Sequence, residues 1–332
     1  MLRRVILLVV VLAVSLAAGA WWALHQFDTP YRGFTDPEVF VEIPPGDSTS
    51  DMAGRLSAMG VVRDPLLFRL AVRHANADRH LQAGEYRFFD AASPNEIVAR
   101  MRRGDTFNHN VTFPEGLTIW DMGGVFERAG VGTAADFVDA AQASSLIADL
   151  DPGAKTLEGY LFPSTYSLPR RAGAEGFVRA MVKAFRKEIG TAPLPDGSWS
   201  MRELVTLASI VEKETADPAE RPIVAAVYLN RLKIHMALQC DPTVIYAMML
   251  RGKWNGNIRK DDLQIDSPYN TYRYPGLPPG PIASPGRASI EAVRHPADVP
   301  YLYFVSRNDG THVFARTLEE HNKNVRAYQS HK

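Results

Sequence analysis

The chain has 332 residues, enough for two domains with full-sized cores. An apolar share of 46% and a charged share of 22% are ordinary for a globular protein. Lys plus Arg equals Asp plus Glu at 37 each, which excludes the basic excess of a nucleic-acid footprint, and the single cysteine, Cys240, excludes an intramolecular disulfide.

Val5 to Leu24 carries no charge over about twenty residues, enough to cross the hydrocarbon core as a helix. Arg3 and Arg4 precede this run and Trp21-Trp22 mark its far interface. The positive-inside rule then leaves residues 1–4 in the cytoplasm and carries the rest across the cytoplasmic (inner) membrane. A cleaved signal peptide is the alternative, but Gly19-Ala-Trp-Trp-Ala23 is a poor small-residue cleavage site. We therefore expect an uncleaved single-pass transmembrane helix over 5–24, with the working part in the periplasm. Envelope polymers become better substrate candidates there than nucleotides or phosphorylated metabolites.

Residues 25–37 read as a polar linker. Val41-Glu-Ile-Pro-Pro-Gly46 then opens a repeat, with Asp51-Met-Ala-Gly54 and Gly60-Val61 following. Seventy residues on, Val111-Thr-Phe-Pro-Glu-Gly116, Asp121-Met-Gly-Gly124 and Gly130-Val131 restate it. Each copy predicts a strand, a Pro-Gly turn and an amphipathic helix ending at glycine. Between the copies, Gly84 to Asp90 predicts a strand. Ser93-Pro-Asn-Glu96 predicts a capped helix start with proline at the first position, and that helix stops near Gly104. Residues 38–135 thus read as a small α+β module. It resembles the LysM-like units of cell-wall proteins, which implies glycan binding; packing alone is the other use of such a repeat.

Residues 136–332 read as a second, mixed helical and β domain, so the fold class is α+β. A helix-like stretch covers 134–149, and an aromatic segment follows with Glu158, Tyr160 and Phe162-Pro-Ser-Thr165. Aromatics beside a carboxylate suit a sugar-binding wall, although core packing is their commoner use. Gly176 to Glu188 predicts an amphipathic helix. Gly197-Ser-Trp-Ser200 precedes another over 203–215, with Ser200 and Glu203 forming a capping box. This helix ends in Glu212-Lys-Glu214. The two carboxylates do not share a face. Glu214 lies over Leu207, Ile210 and Val211, and Glu212 over Val205, Ala208 and Ser209, a smaller and more polar set. A carboxyl held over apolar side chains loses solvation and stays protonated to higher pH, as a proton donor must. A solvated helix end is the plain alternative.

Ala219 to Leu232 predicts the next helix, ending at Asn230-Arg231. A polar cluster of Gln239, Asp241, Thr243 and Tyr246 follows. From Asp266 to Gly286 the density of proline and glycine forbids regular structure and predicts a stiff loop carrying Tyr269, Asn270, Thr271 and Tyr272. Tyr301 to Val305 and His312 to Ala315 predict a hairpin around Asn308-Asp-Gly310, before a last helix over 318–328. Cys240 reads as a buried structural thiol. The nine histidines show no metal-ligand spacing, and no cofactor is expected.

Ala208-Ser-Ile-Val-Glu-Lys-Glu-Thr215, Asn230-Arg231, Leu238-Gln-Cys-Asp-Pro-Thr243 with Tyr246, Tyr269-Asn-Thr-Tyr272 and Gly276-Leu-Pro-Pro-Gly-Pro-Ile282 resemble the YceG/MltG family of endolytic murein transglycosylases. The resemblance covers almost the whole chain. It implies a membrane-anchored lyase that cuts nascent peptidoglycan between N-acetylmuramic acid and N-acetylglucosamine and leaves 1,6-anhydro ends. Peptidoglycan strands, the membrane and peptidoglycan synthases are the partners it implies. One acid would protonate the glycosidic oxygen and then take the proton of the muramyl C6 hydroxyl, which attacks C1. Other lytic transglycosylases carry Glu-Ser at the end of a similar helix, and Glu214-Thr215 matches that pair better than Glu212-Lys213. Glu214 is therefore the expected catalytic acid. Glu158, Tyr160, Asn230, Arg231, Gln239, Asp241, Thr243, Tyr246, Tyr269, Asn270, Thr271 and Tyr272 are the expected substrate contacts. The chain departs from the family at Ser164, where Asp is common, and at Cys240, where Thr is common. A scaffold that binds glycan without cutting it is the alternative from another class, and a two-carboxylate hydrolase using Asp241 or Glu158 is a third reading.

Overall fold

The computed structural model describes residues 2–190 and 199–329, so Met1, Gly197 and Ser198 lie outside the described residues. The chain divides into two compact units. One takes the residues up to His109 together with Leu168–Arg171, and the other takes Asn110–Ser167 and the chain from Ala172 on.

In the first unit α1 (Leu2–Phe27) leads to β1 (Val39–Ile43), α2 (Thr49–Ala58), α3 (Pro65–His74), β2 (Gly84–Phe88) and α4 (Pro94–Arg103). The two strands pair antiparallel, Val39 opposite Phe88 and Ile43 opposite Gly84. Val39, Val41 and Ile43 alternate inward into one core with Leu56, Phe68, Val72, Ile97 and Met101, as the period of a strand dictates. Phe27, the last residue of α1, joins that core. Helix α4 starts where its sequence says. Ser93 Oγ accepts from the Glu96 N–H at 3.3 Å, and the Glu96 carboxylate accepts from the Ser93 N–H at 2.7 Å. Among the described residues no helix is long and apolar enough to cross a membrane. The span expected at 5–24 therefore rests on the sequence.

The repeat is one of conformation as well as of sequence. Gly46 and Gly116 turn the chain at φ +91° and +75°, in the left-handed region that a side chain would resist. Ser48 and Thr118 then cap α2 and α5 (Ile119–Arg128), each in a reciprocal box with the aspartate three residues on. The second copy, however, lies in the second unit, so the stretch 38–135 spans the division at His109. The reason is packing. Phe113 and Phe126 of the second copy stack with Phe137 of α6 (Ala134–Ala140) and Phe177 of α7 (Gly173–Ile189), not with the first unit's core.

The second unit is built on α8 (Met201–Glu214), capped by Ser200 and Glu203. Every residue from Leu204 to Val211 is buried. Three further helices pack on it: α9 (Arg221–Lys233), α10 (Asp241–Leu250) and α11 (Arg287–Arg294). Residues 265–286 carry neither helix nor strand, as their prolines and glycines require. Short strands β3 (Asn108–Thr112) and β4 (Thr165–Pro169) form one two-stranded sheet. A hairpin of β5 (Tyr303–Ser306) and β6 (His312–Ala315) sets Ser306 opposite His312, and α12 (Leu318–Tyr328) packs against it. The fold is thus mixed α+β.

Candidate active site

Helix α8 delivers two carboxylates to its C-terminal turn. Thr215 takes an extended backbone and ends the helix. Glu212 points to one side and is spent on structure. It accepts from Arg221 at 3.1 Å, from the Gly286 N–H at 3.0 Å and from Ser289 Oγ at 2.7 Å. The Glu212 and Arg221 side chains are 6% and 8% exposed, so this is a buried ion pair that locks α8, α9 and α11 together. Glu115 shares the same guanidinium at 3.7 Å.

Glu214 faces elsewhere. The Cys240 thiol donates to its Oε1 at 2.9 Å, and the Tyr228 hydroxyl hydrogen-bonds the same carboxyl. Neither donor carries a charge. Burial therefore lifts the Glu214 carboxyl above the ordinary carboxylate range, against the pull of those two hydrogen bonds. What separates the two glutamates is not the apolarity of the face below each, as the sequence suggested, but the partner: a guanidinium for Glu212, neutral donors for Glu214.

The Glu214 carboxyl opens on a cleft of about 420 Å³. Its wall includes Tyr228 and Arg231 of α9, Gln239 and Asp241 at the start of α10, Tyr272 of the stiff loop, Phe304 and His312 of the hairpin, and His321 of α12. Tyr272 donates to Asp241 at 2.6 Å. Gln239 sits at φ +52°, an unusual backbone for its type, and its N–H is held by the Thr271 carbonyl at 3.2 Å. Arg231 lines the cleft, but its guanidinium is committed to the carbonyls of Leu302 at 2.6 Å and Leu238 at 2.7 Å. Of the expected site residues the fold brings Glu214, Arg231, Gln239, Asp241 and Tyr272 to this one cleft.

The others are placed as supports. Asn230 donates to the carbonyls of Val299 and Tyr301 at 2.8 and 3.1 Å. Buried Asn270 donates to Leu263 and Ile265 at 2.9 and 2.8 Å, tying the stiff loop to itself. Thr243 and Thr271 bond each other at 2.8 Å, and Thr271 Oγ1 accepts from the Cys240 N–H at 3.0 Å, so this pair sets the thiol that holds Glu214. Tyr160 donates to Asp151 at 2.8 Å inside an ion pair of Asp151 with Arg202. Glu158 is buried away from the cleft. It accepts from the Ile119 N–H at 3.3 Å and the Tyr246 hydroxyl at 3.2 Å, and its Oε1 has no partner. Burial pushes its carboxyl up to about 8. The Tyr246 ring lies tilted against those of Trp120 and Tyr269, with centroids 5.6 and 5.0 Å away. Ser164 is exposed, and its carbonyl accepts from the Phe113 N–H at 2.9 Å.

Among the cleft residues that were not anticipated are Tyr228, Phe304, His312 and His321. Tyr228 stands three residues before Arg231 on one helix face, a spacing that could have flagged it. Phe304 and His312 come from the hairpin, where a strand pattern hides them, and His321 comes from α12. Cys240, read as a buried structural thiol, is buried and touches the Glu214 carboxyl.

A sequence profile described as the YceG-like family matches residues 41–327. A Bacillus subtilis protein named endolytic murein transglycosylase is 34% identical over 312 residues, 89% of this chain and 86% of its own length. A Streptococcus pneumoniae protein of the same name is 30% identical; the alignment takes in 97% of this chain but only 64% of that longer protein. The crystal structure of a YceG-like protein from Listeria monocytogenes superposes with a TM-score of 0.57 at 34% identity, over 86% of this chain and 99% of that one.

Proposed function

The chain belongs to the YceG-like family, and on that footing we propose that it is an endolytic peptidoglycan transglycosylase, a lyase, with Glu214 as its proton donor. The observation that carries this reading is the Glu214 carboxyl, enclosed, given only neutral donors and set in the wall of a cleft. Such an acid holds its proton to higher pH than an ordinary carboxyl and can pass it to a glycosidic oxygen as the C1–O bond breaks. The C6 hydroxyl of the muramyl residue then closes on C1, so no water is consumed and the new end is 1,6-anhydro. Gln239, Asp241 and Tyr272 offer donors and acceptors for sugar hydroxyls along the same wall. Mass spectrometry of peptidoglycan digested with the purified chain tests this. Anhydro-muramyl ends are expected; reducing ends, or no cleavage, would overturn it.

We extend the proposal to the cell envelope. A 26-residue helix rises about 39 Å, more than the hydrocarbon core, and its uncharged run over 5–24 suits a single-pass anchor in the inner membrane. The enzyme would then work at the periplasmic face, beside the synthases whose nascent strands it releases. The strand-turn-helix units would contribute LysM-like contacts along the glycan.

A further inference from the structure

Glu220 is a buried carboxylate that the mechanism above does not use. It lies between α8 and α9 and is clamped to the far hairpin. Its Oε1 accepts from the His312 N–H at 2.8 Å, and its Oε2 lies 2.6 Å from His312 Nδ1. Thr215, the residue after Glu214, donates to the same Oε2 at 3.3 Å. One carboxylate thus joins the end of α8 to the histidine across the cleft.

The clamp decides which ring nitrogen is free. A carboxylate facing Nδ1 makes Nδ1 the N–H, so in the neutral ring the lone pair lies on Nε2. His312 lines the same cleft as Glu214. The Phe304 ring stands edge-on to Tyr228 at 5.9 Å and to His312 at 5.3 Å, spacing the two groups. Three other polar groups of the wall are engaged. Tyr228 serves Glu214, Arg231 holds carbonyls, and Asp241 accepts from Tyr272. His321 lies stacked at 5.2 Å on Tyr303, and among the described residues its Nδ1 has no hydrogen-bond partner.

We propose that His312, oriented by Glu220, is a second catalytic residue of this site and takes the proton of the attacking hydroxyl. This rests on the transglycosylase reading. Glu214 gives its proton to the leaving oxygen as the C1–O4 bond breaks and its electron pair goes to O4. As O6 bonds to C1, the O6 proton passes to Nε2 of His312. The imidazolium then returns that proton to the Glu214 carboxylate, and both groups are reset without oxidant, reductant or water. Glu220 is the positioning residue. It acts only through the ring it holds. Two groups divide the work that a lone carboxyl would do twice.

The test uses the full chain on isolated peptidoglycan strands, with chain ends counted by mass spectrometry. His312→Ala should cut kcat by about a hundredfold or more, and added imidazole should restore a measurable part of it. A merely structural histidine would not be rescued. Nitrogen-15 spectra of the unaltered protein should show His312 with its proton on Nδ1 and a bare Nε2, and Glu220→Gln should disturb that signal. Wild-type turnover in His312→Ala, loss without rescue, or a resting proton on Nε2 would each overturn the proposal. The NMR result decides even where the variant fails to fold. If wild type leaves reducing ends, or Glu214→Gln still cuts, it is the transglycosylase reading that has failed instead.

Discussion

Two glutamates two residues apart have opposite tasks, and substitution should separate them. Glu214→Gln removes the acid but keeps an amide of the same shape, so cleavage should fall by a factor of about a hundred to ten thousand with little change in melting temperature. Glu212→Gln leaves the buried Arg221 short of its counter-charge. It should destabilise by a few kcal/mol, on the order of the cost of breaking a buried ion pair, while molecules that stay folded keep cutting. A reversal of these two outcomes, read by calorimetry and product counting, would move the catalytic role to Glu212. Cys240 tunes the same acid. Its thiol stabilises the charged form of Glu214, so Cys240→Ala should raise the carboxyl further. The acid must be protonated to act, so the alkaline limb of the rate profile should move to higher pH. Cys240→Thr, which retains a donor, should leave it nearer its place. An unmoved limb in both variants would mean the thiol contact is not made in solution. Glu158 is a third kind of acid, with consequences for stability. Its folded value of about 8 lies above its ordinary 4.5. Below about 4.5 both states hold the proton. Between there and 8 only the unfolded chain loses it, so stability falls as pH rises and levels off above 8. Glu158→Gln removes that slope, and its melting temperature should gain on wild type from pH 6 to pH 9.

Helix α8 was legible because its signals are local. Ser200 and Glu203 sit three apart, the apolar spacing is helical, and Pro218 follows. The same holds for α4, with Ser93, Pro94 and Glu96, and for the hairpin turn, where Asn308 and Gly310 take positive φ. Helix α10 was missed for a physical reason. Asp-Pro-Thr-Val-Ile-Tyr-Ala-Met-Met-Leu is apolar on most sides, so burial erases the periodicity that would reveal a helix. Helix α11 is eight residues long and follows a proline-rich loop, and α3 announced itself only by Asp64 and Pro65. The cleft was half legible. Glu214, Asp241 and Tyr272 stand in recognisable motifs, whereas His312 meets Glu220 across 92 residues through a hairpin whose docking no local pattern encodes. Because α8 is capped at one end and acts at the other, the two can be uncoupled. Ser200→Ala should cost about 1 kcal/mol of stability. Glu214 lies 14 residues farther along, so turnover per folded molecule should hold. A matching loss of turnover at full folding would show that α8 moves as a rigid lever on the acid.

At the scale of the molecule, the two units have separate cores. The first is built from β1, β2 and three short helices, the second around α8. Only the second contains the cleft with Glu214. Nothing in the chemistry of that cleft requires the first twenty-four residues, so anchoring and cutting should be separable. The place of the cut matters. Phe27 ends α1 but is 5% exposed and belongs to the core of the first unit. Removing it would open a cavity costing about 3–5 kcal/mol, as for other buried phenylalanines. A chain beginning at His25 keeps Phe27 and loses the uncharged run. If that run is the anchor, this shortened chain should appear in the soluble fraction after cell lysis while the full chain sediments with membranes and is released only by detergent. Both should give the same chain ends from isolated peptidoglycan at similar rates. A shortened chain that still sediments would place the membrane affinity elsewhere on the protein. A full chain found free of membranes would show that α1, for all its length and its uncharged run over 5–24, does not anchor the enzyme.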